Sequence, residues 1–353
     1  MGKIVFTGGG TAGHVMPILA LVDDLKVKGF DMHYIGSKNG IEKTLAEDKN
    51  IPYYSVSTGK LRRYFDLENF IDPFRVIKGT WEARKLLKKI KPDLIFSKGG
   101  FVSVPIILAA SNLRIPVILH ESDYSPGLAN KLTLRFADKI LVTFPETLNY
   151  LSKEKSLLVG TPIRKEILQG DINKGKDLTG FDEKPTLMVM GGSSGSQTIN
   201  KVVRSSLEEL IKEFNVIHLC GKGNLKSEYI NVNGYKQFEF VTDELPHLFA
   251  ITDLMVSRAG ANTLYELLSL HMPNILIPLP LSSSRGDQIL NAKSFSKSGY
   301  SLTLFEEDLT PTSLIKKIKE LSEHKEQFIK KMKNTKLQDS NELVIKEICK
   351  YNE

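Results

Sequence analysis

The stretch FTGGGTAGHVMP, residues 6–17, sets four glycines and a histidine directly behind an apolar run. Glycine lets a backbone turn fold closely around a phosphate, and a helix starting there adds N–H groups and a partial positive charge. Gly8, Gly10 and Gly13 have the G-x-G-x-x-G spacing of a dinucleotide site. Such a site needs a carboxylate at the end of the second strand to hold the ribose hydroxyls. Here that strand ends in Ile35-Gly36-Ser37-Lys38, and Glu42 lies beyond it. Lys38 suits only a 2′-phosphate, which leaves a thin case for an NADP enzyme. His14, next to the helix start, suits contact with a diphosphate, proton removal from a hydroxyl, or capping of its own helix.

Further phosphate-type turns lie in the other half of the chain. SRAGANTLYE, residues 257–266, reads as a strand-to-helix turn with the pattern G-x-x-T-x-x-E. Gly260 lets a phosphate approach the backbone, Thr263 is expected to cap the helix and donate a hydrogen bond, and Glu266 can accept from two ribose hydroxyls. GGSSGS, residues 191–196, is a second such turn. Together these fit a sugar nucleotide better than a dinucleotide. For a base, His14 competes with His120 and Glu121 at the end of another strand; His33, His218, His247 and His271 read as structural or exposed. The chain has no CxxC pair, Cys/His cluster or Asp-x-Asp, so no metal ligand set is read.

The elements that must hold these turns alternate. KIVFTG (3–8), DMHYIG (31–36), DLIFSKG (93–99), PVILHE (116–121) and KILVT (139–143) read as strands. Between the first two, Ile18, Leu21, Val22 and Leu25 keep helical spacing, with Gly29 as the stop. After the polar DLTGFDEKP (177–185) the pattern restarts with TLMVMGG (186–192), then a helical repeat from Ile199 to Phe214. NVIHLCG, QFEFVT, DLMVS and NILIPLP follow as strands. The alternation predicts an α/β chain of two doubly wound halves with parallel sheets. The expected divisions are 1–162, 163–335, and a helix in 336–353 that packs back on the first domain.

Hydrophobic residues make up 41% and charged residues 25%, an ordinary globular balance. Two cysteines, Cys220 and Cys349, form no disulfide framework and fit a reducing cytoplasm. The most apolar runs fall short of the ~20 residues of a membrane span, and no basic-then-apolar leader is read before KIVF. The net charge is +7, and residues 60–91, with ten basic and four acidic side chains, hold +6 of it. Within that segment Phe70, Phe74, Ile77 and Trp81 recur at helical spacing, flanked by Arg75, Lys78, Arg84 and Lys85. This face, with the chain's one tryptophan, either enters the domain core or lies on an anionic membrane surface. Aromatic residues are not interleaved with the basic ones at stacking positions, which argues against nucleic acid.

In order and spacing, GGGTAGH (8–14), KGGFVSVP (98–105), HESDYSPGLANK (120–131), GTPIR (160–164), MGGSSGS (190–196), RAGANTLYE (258–266) and DQILNA (287–292) resemble the MurG family of bacterial glycosyltransferases, of the two-domain GT-B type. The resemblance implies two Rossmann-like domains facing across a cleft, acceptor domain first and donor domain second. It implies transfer of N-acetylglucosamine from UDP-N-acetylglucosamine to the 4-hydroxyl of MurNAc in undecaprenyl-pyrophosphoryl-MurNAc-pentapeptide. That converts lipid I to lipid II for peptidoglycan.

By the same resemblance the donor site falls on Arg164, Ser193, the backbone near Val241, Ala261, Asn262, Thr263, Leu264, Tyr265, Glu266 and Gln288. Thr11, Ala12 and Gly13 border the sugar, and Asp123 contacts it. Asp123 departs from the Asn that the family often has there, and its charge is unfavourable near a diphosphate. The acceptor pyrophosphate is implied at Gly10, His14, Gly99 and Gly100, with His14 the catalytic base. No cofactor is implied, Mg²⁺ at most assisting pyrophosphate binding. The implied partners are UDP-N-acetylglucosamine, lipid I, an anionic membrane surface docked by Phe70, Phe74, Ile77 and Trp81, and proteins of cell-wall synthesis and division. The implied place is the cytoplasmic face of the cell membrane, held peripherally. A UDP-N-acetylglucosamine 2-epimerase shares the architecture and the donor and is the rival.

Overall fold

The computed structural model describes residues 2–59, 68–192, 195–335 and 339–351, with the side chains of 68–71 outside the description. The chain forms two compact units, Met1–Arg164 with Leu337–Glu353, and Lys165–Lys336.

The first unit is built on seven parallel strands: β1 (Lys3–Thr7), β2 (Asp31–Gly36), β3 (Tyr53–Ser55), β4 (Leu94–Ser97), β5 (Val117–Glu121), β6 (Lys139–Val142) and β7 (Ser156–Leu158). Their order is β3-β2-β1-β4-β5-β6-β7. The central strands β4 and β5 are buried along their whole length, which is why each opens on three apolar residues in a row rather than alternating. Helices α1 (Met16–Val27), α2 (Ile41–Asp48), α3 (Glu68–Ile90), α4 (Val104–Leu113) and α5 (Leu128–Thr133) cover the sheet. On one face Ile18, Leu21, Val22 and Leu25 of α1 pack on Ile4, Phe6 and Phe96. On the other, Ala83 and Leu87 of α3 and Ile106, Ile107 and Ala110 of α4 pack on Val5 and Ile95. Gly29 closes α1 at φ 79°, a left-handed position that glycine takes without strain.

The second unit runs α6 (Ile172–Thr179), β8 (Thr186–Met190), α7 (Gln197–Ser205), α8 (Leu207–Glu213), β9 (Asn215–Leu219), β10 (Tyr235–Phe238), α9 (Leu245–Ala250), β11 (Leu254–Ser257), α10 (Ala261–Ser269), β12 (Asn274–Leu276), α11 (Asp287–Lys297), β13 (Ser301–Thr303), α12 (Pro311–Glu323) and α13 (Lys325–Lys333). Its parallel sheet has the order β10-β9-β8-β11-β12-β13. Both units are thus doubly wound α/β folds. The short strands β3, β7 and β13 are additions to the sequence reading, and β10 begins two residues before QFEFVT. The single helix read from Ile199 to Phe214 is two, because Ser206 turns its hydroxyl onto the Val202 carbonyl at 2.8 Å and ends α7.

The last helix, α14 (Ser340–Cys349), returns to the first unit. Val344, Ile345 and Ile348 join the core of Ile4 and Ile18. Asn341 fixes the return: its Oδ1 accepts the Ile163 N–H at 2.9 Å, and its Nδ2 donates to the carbonyls of Ile163 and Ala20 at 3.0 and 3.2 Å. Asn341→Leu keeps the volume and removes all three bonds. It is expected to destabilise the first unit by about 1–3 kcal/mol, read from urea unfolding followed by circular dichroism.

Candidate functional site

In each sheet the chain reverses its direction of winding at one place, between β1 and β4 in the first unit and between β8 and β11 in the second. Loops leaving the carboxyl ends of two such strands diverge, and the crevice between them is where open α/β sheets bind ligands. In the first unit the two loops are GGGTAGH after β1 and KGGF after β4; in the second they are GGSSGS after β8 and RAGANT after β11.

In the first unit the two loops touch. A Cβ at Gly100 would lie 2.6 Å from the Gly9 carbonyl and 3.3 Å from the His14 ring, so only glycine permits the approach. The hub is Lys98, 1% exposed. Its N–H donates to the Thr7 carbonyl at 2.9 Å, and its Nζ donates to Ser122 Oγ at 2.6 Å and to His120 Nδ1. Its carbonyl accepts from His14 Nδ1 at 3.0 Å.

These contacts separate the three base candidates. A carbonyl only accepts, so His14 carries its proton on Nδ1 and keeps Nε2 as the basic nitrogen. Enclosure in the protein, and next the charge of Lys98, lower the His14 pKa to about 4, so the ring is neutral at pH 7. His120 donates from Nε2 to the Gly160 carbonyl at 2.8 Å and accepts at Nδ1 from Lys98, which uses both nitrogens. Burial and Lys98 push its pKa well down. Glu121 accepts from the N–H groups of Asp123 and Gly127, both at 3.0 Å, and from Asn130 Nδ2 at 2.7 Å, closing the 121–130 loop over its carboxylate. Burial and then the charge of Asp123 raise its pKa to about 7 in spite of those donors. Lys98 is lowered to about 7 by burial, against the opposing pull of Glu121 and Asp123. The buried Lys98 and the Asp123 carboxylate are within electrostatic reach of each other.

In the second unit Gly260, not Thr263, is the N-cap of α10, and no side chain caps that end. Thr263 sits inside the first turn, where a backbone N–H has no partner within the helix itself, the geometry that suits a helix N-terminus to an anion. Leu264 is fully buried with its N–H donated to the Gly260 carbonyl at 3.0 Å, and Tyr265 packs edge-on against Phe295 at 5.6 Å. Ala261 and Val241 are also buried, while Asn262 and Glu266 are half-buried. Gln288 Oε1 accepts the Leu279 N–H at 3.1 Å, which seats the start of α11 beside the end of β12. Ser193 lies outside the described residues. Thr11 and Gly13 are exposed, and Ala12, Asp123 and Arg164 half-buried.

Arg258, quoted in the motif without a role, organises this unit. Its Nη1 donates to the carbonyls of Ile277 and Pro278 at 3.1 and 3.3 Å, and its Nη2 donates to Ser196 Oγ at 2.7 Å and forms an ion pair with Glu306 Oε2 at 2.5 Å. One guanidinium thus joins the ends of β11 and β12 to the turn after β8, a use that needs the planar fork of Arg. The signal was its place directly after an apolar strand, where a charge must find partners.

The basic segment also resolves. On α3, Gly79, Ala83, Leu87 and Ile90 are buried, and Phe74, Ile77 and Trp81, at 72, 57 and 63% exposed, lie on the opposite side of the helix. The core reading of that face is therefore wrong for these three; the Phe70 side chain lies outside the description. Arg75 pairs with the buried Asp72 at 3.0 Å, and Lys78 approaches Glu82 at 3.8 Å. Among the described residues no helix is long and apolar enough to cross a membrane, and no group of three His, Cys, Asp or Glu could hold a metal ion.

Residues 4–142 match the glycosyltransferase family 28 N-terminal domain and residues 186–347 the glycosyltransferase family 28 C-terminal domain. The chain belongs to glycosyltransferase family 28. The UDP-N-acetylglucosamine--N-acetylmuramyl-(pentapeptide) pyrophosphoryl-undecaprenol N-acetylglucosamine transferase of Clostridium perfringens (strain 13 / Type A) is 56% identical over 336 residues, 95% of this chain and 94% of that one. The Clostridium tetani protein of the same name is 53% identical over 350 residues, 99% of this chain and 98% of that one. In structure the chain is similar to Acinetobacter baumannii MurG, with TM-score 0.79 and 25% identity over 99% of this chain and 100% of that one. It shares its fold with Methanocaldococcus jannaschii UDP-GlcNAc 2-epimerase, TM-score 0.62 and 16% identity over 99% of each chain.

Removing the Arg258 fork strands Glu306 and two carbonyls. Arg258→Met is expected to cost about 2–3 kcal/mol, below the full penalty of a broken buried pair because Glu306 keeps some water, and Arg258→Lys to recover less than half. Chemical denaturation of the three proteins measures both.

Proposed function

We propose that the protein moves N-acetylglucosamine from UDP-N-acetylglucosamine to the 4-hydroxyl of MurNAc in lipid I, giving lipid II for peptidoglycan, by a single inverting displacement. The observation that carries this is near-full-length identity above one half with transferases of that name. An epimerase shares only the fold, at 16% identity.

The acceptor hydroxyl attacks the anomeric carbon from the side opposite the departing UDP. Its proton goes to His14 Nε2, the lone-pair nitrogen fixed by the Nδ1–H bond to Lys98. General-base help of this kind is worth roughly 10²–10⁴-fold. A bound acceptor diphosphate, received between the Gly10 turn and Gly99–Gly100, supplies negative charge that raises the low His14 pKa toward the working range. The leaving diphosphate is met by the N-terminus of α10 at Ala261–Thr263, a backbone dipole that needs no reorganisation as charge develops, together with Arg164 and Ser193. Glu266 takes the ribose hydroxyls, the Val241 backbone and Gln288 border the nucleotide, and Thr11, Ala12, Gly13 and Asp123 face the sugar. This charge stabilisation needs no metal, Mg²⁺ at most helping to hold pyrophosphate. Lipid I is a membrane-bound acceptor, so the protein works peripherally at the cytoplasmic face, where cell-wall synthesis and division proteins are its natural neighbours.

Transfer of labelled sugar to a lipid I analogue tests the activity, and its pH dependence tests the base. Either candidate base must be deprotonated, so activity falls as pH drops through its pKa. The acid limb of kcat/KM reports the free enzyme, and with His14 it is expected below pH ~5, under the 6.5 of an ordinary histidine. A limb near pH 7 assigns the role to Glu121 instead. His14→Ala is expected to lower kcat by at least about a hundredfold.

Membrane attachment rests on Phe74, Ile77 and Trp81, whose apolar surface is exposed beside Lys78 and Lys85. Each basic group near an anionic surface is worth about 1 kcal/mol, and Trp favours the interface. Because these side chains are already outside the core, Phe74→Ser with Trp81→Ser is expected to leave the fold and the donor KM unchanged. Sedimentation with phosphatidylglycerol vesicles should show binding reduced at least about tenfold and weakened by salt in the wild type; binding equal to wild type removes the docking site.

A further inference from the structure

Glu42 is fully buried, and its carboxylate is folded back into the first glycine turn. Oε2 accepts the Gly10 N–H at 3.3 Å, and Oε1 accepts the Ser37 N–H at 3.0 Å and the Ser37 hydroxyl at 2.5 Å. Three donors bond to it, the partner set of a carboxylate. A Cβ at Gly9 or at Gly40 would strike the carboxyl group, so the space is shaped to it. Tyr34 Oη donates to the Gly8 carbonyl at 2.6 Å and Tyr53 Oη to the Ser37 carbonyl at 2.5 Å, holding the same two turns from beneath. In a dinucleotide fold the N–H groups of this turn point to a phosphate and the acidic group lies at the end of β2. Here an acidic group from the first turn of α2 takes the Gly10 donor itself.

We propose that Glu42 is a built-in anion that stands where a nucleotide phosphate would sit in the first glycine turn, excludes a nucleotide there, and acts as a positioning residue that holds Gly10 and His14 in the shape that receives the acceptor diphosphate. The acceptor half rests on the function proposed above; the hold on the turn does not. Glu42 touches neither the substrate nor the reacting atoms and works through the turn. The shape it sets leaves the Gly10–His14 backbone to a group presented from outside, so the diphosphate is held by contacts other than the Gly10 N–H.

The test is Glu42→Gln, isosteric but with an amide N–H facing donors, read three ways. The first is the ¹⁵N-histidine spectrum without substrate, where wild-type His14 is expected as a single Nδ1–H tautomer and the variant as a mixture. The second is kinetic: kcat/KM for a lipid I analogue is expected to fall at least about tenfold while the UDP-N-acetylglucosamine KM stays within about twofold. The third is chemical rescue in Glu42→Gly, where added formate, but not neutral formamide, restores both. A His14 signal unchanged in Glu42→Gln, or donor and acceptor constants falling together, overturns the proposal. A changed tautomer with unchanged acceptor kinetics upholds the hold on the turn and sinks the acceptor reading of it. Where Glu42→Gln does not fold, Ser37→Ala removes only the hydroxyl donor and is expected to shift the His14 signal in the same direction; no shift there also overturns the proposal.

Discussion

A parallel sheet leaves its polar difficulty at the carboxyl edge. Each strand there ends in a loop that leaves the ladder, and at the point where winding reverses the two central loops part, so backbone donors and acceptors face each other across a gap rather than pairing. Everything chemically distinctive in this protein is an answer to that constraint. In the first unit the gap after β1 and β4 is bridged from inside by Lys98, whose N–H, carbonyl and ammonium reach three different segments. In the second, Arg258 spans β11, β12 and the turn after β8.

The two units meet the same constraint with opposite outcomes. In the first unit the protein's own carboxylates fill the loops, Glu42 at Gly10 of the glycine turn and Glu121 inside the 121–130 loop. It presents a settled surface on which the His14 tautomer is fixed. The second keeps the start of α10 without a side-chain cap, and its Glu306 is paired with Arg258. A doubled architecture thus yields one crevice organised around anions of its own and one at whose edge a helix starts on a glycine without a side-chain cap.

How much of this the sequence discloses follows from how local each cause is. The central strands are legible because burial on both faces leaves apolar runs, and the glycine turns because their residue types are rare elsewhere. Strands β3, β7 and β13 are three residues long, and β3 and β7 are partly exposed at the edge of their sheet, so their composition hardly differs from loop. The break at Ser206 depends on one hydroxyl turning inward, and the start of α10 on an extended backbone at Gly260, neither of which periodicity encodes. Glu42 was in view yet read as too far along, because its reach depends on α2 folding back over β2. Phe74, Ile77 and Trp81 show helical spacing whichever way they point; only the packing of Ala83 and Leu87 on the opposite side decides it.

The return of α14 to the first unit has a consequence in time. Its Val344, Ile345 and Ile348 belong to one core with Ile4 and Phe6, while the whole of the second unit is strung between them. A chain leaving the ribosome therefore has residues 165–336 available to close their own core before the first unit has all of its parts. Until residue 348 emerges, the apolar face of α1 stays partly uncovered, so the domain that is first in sequence is the last to be complete.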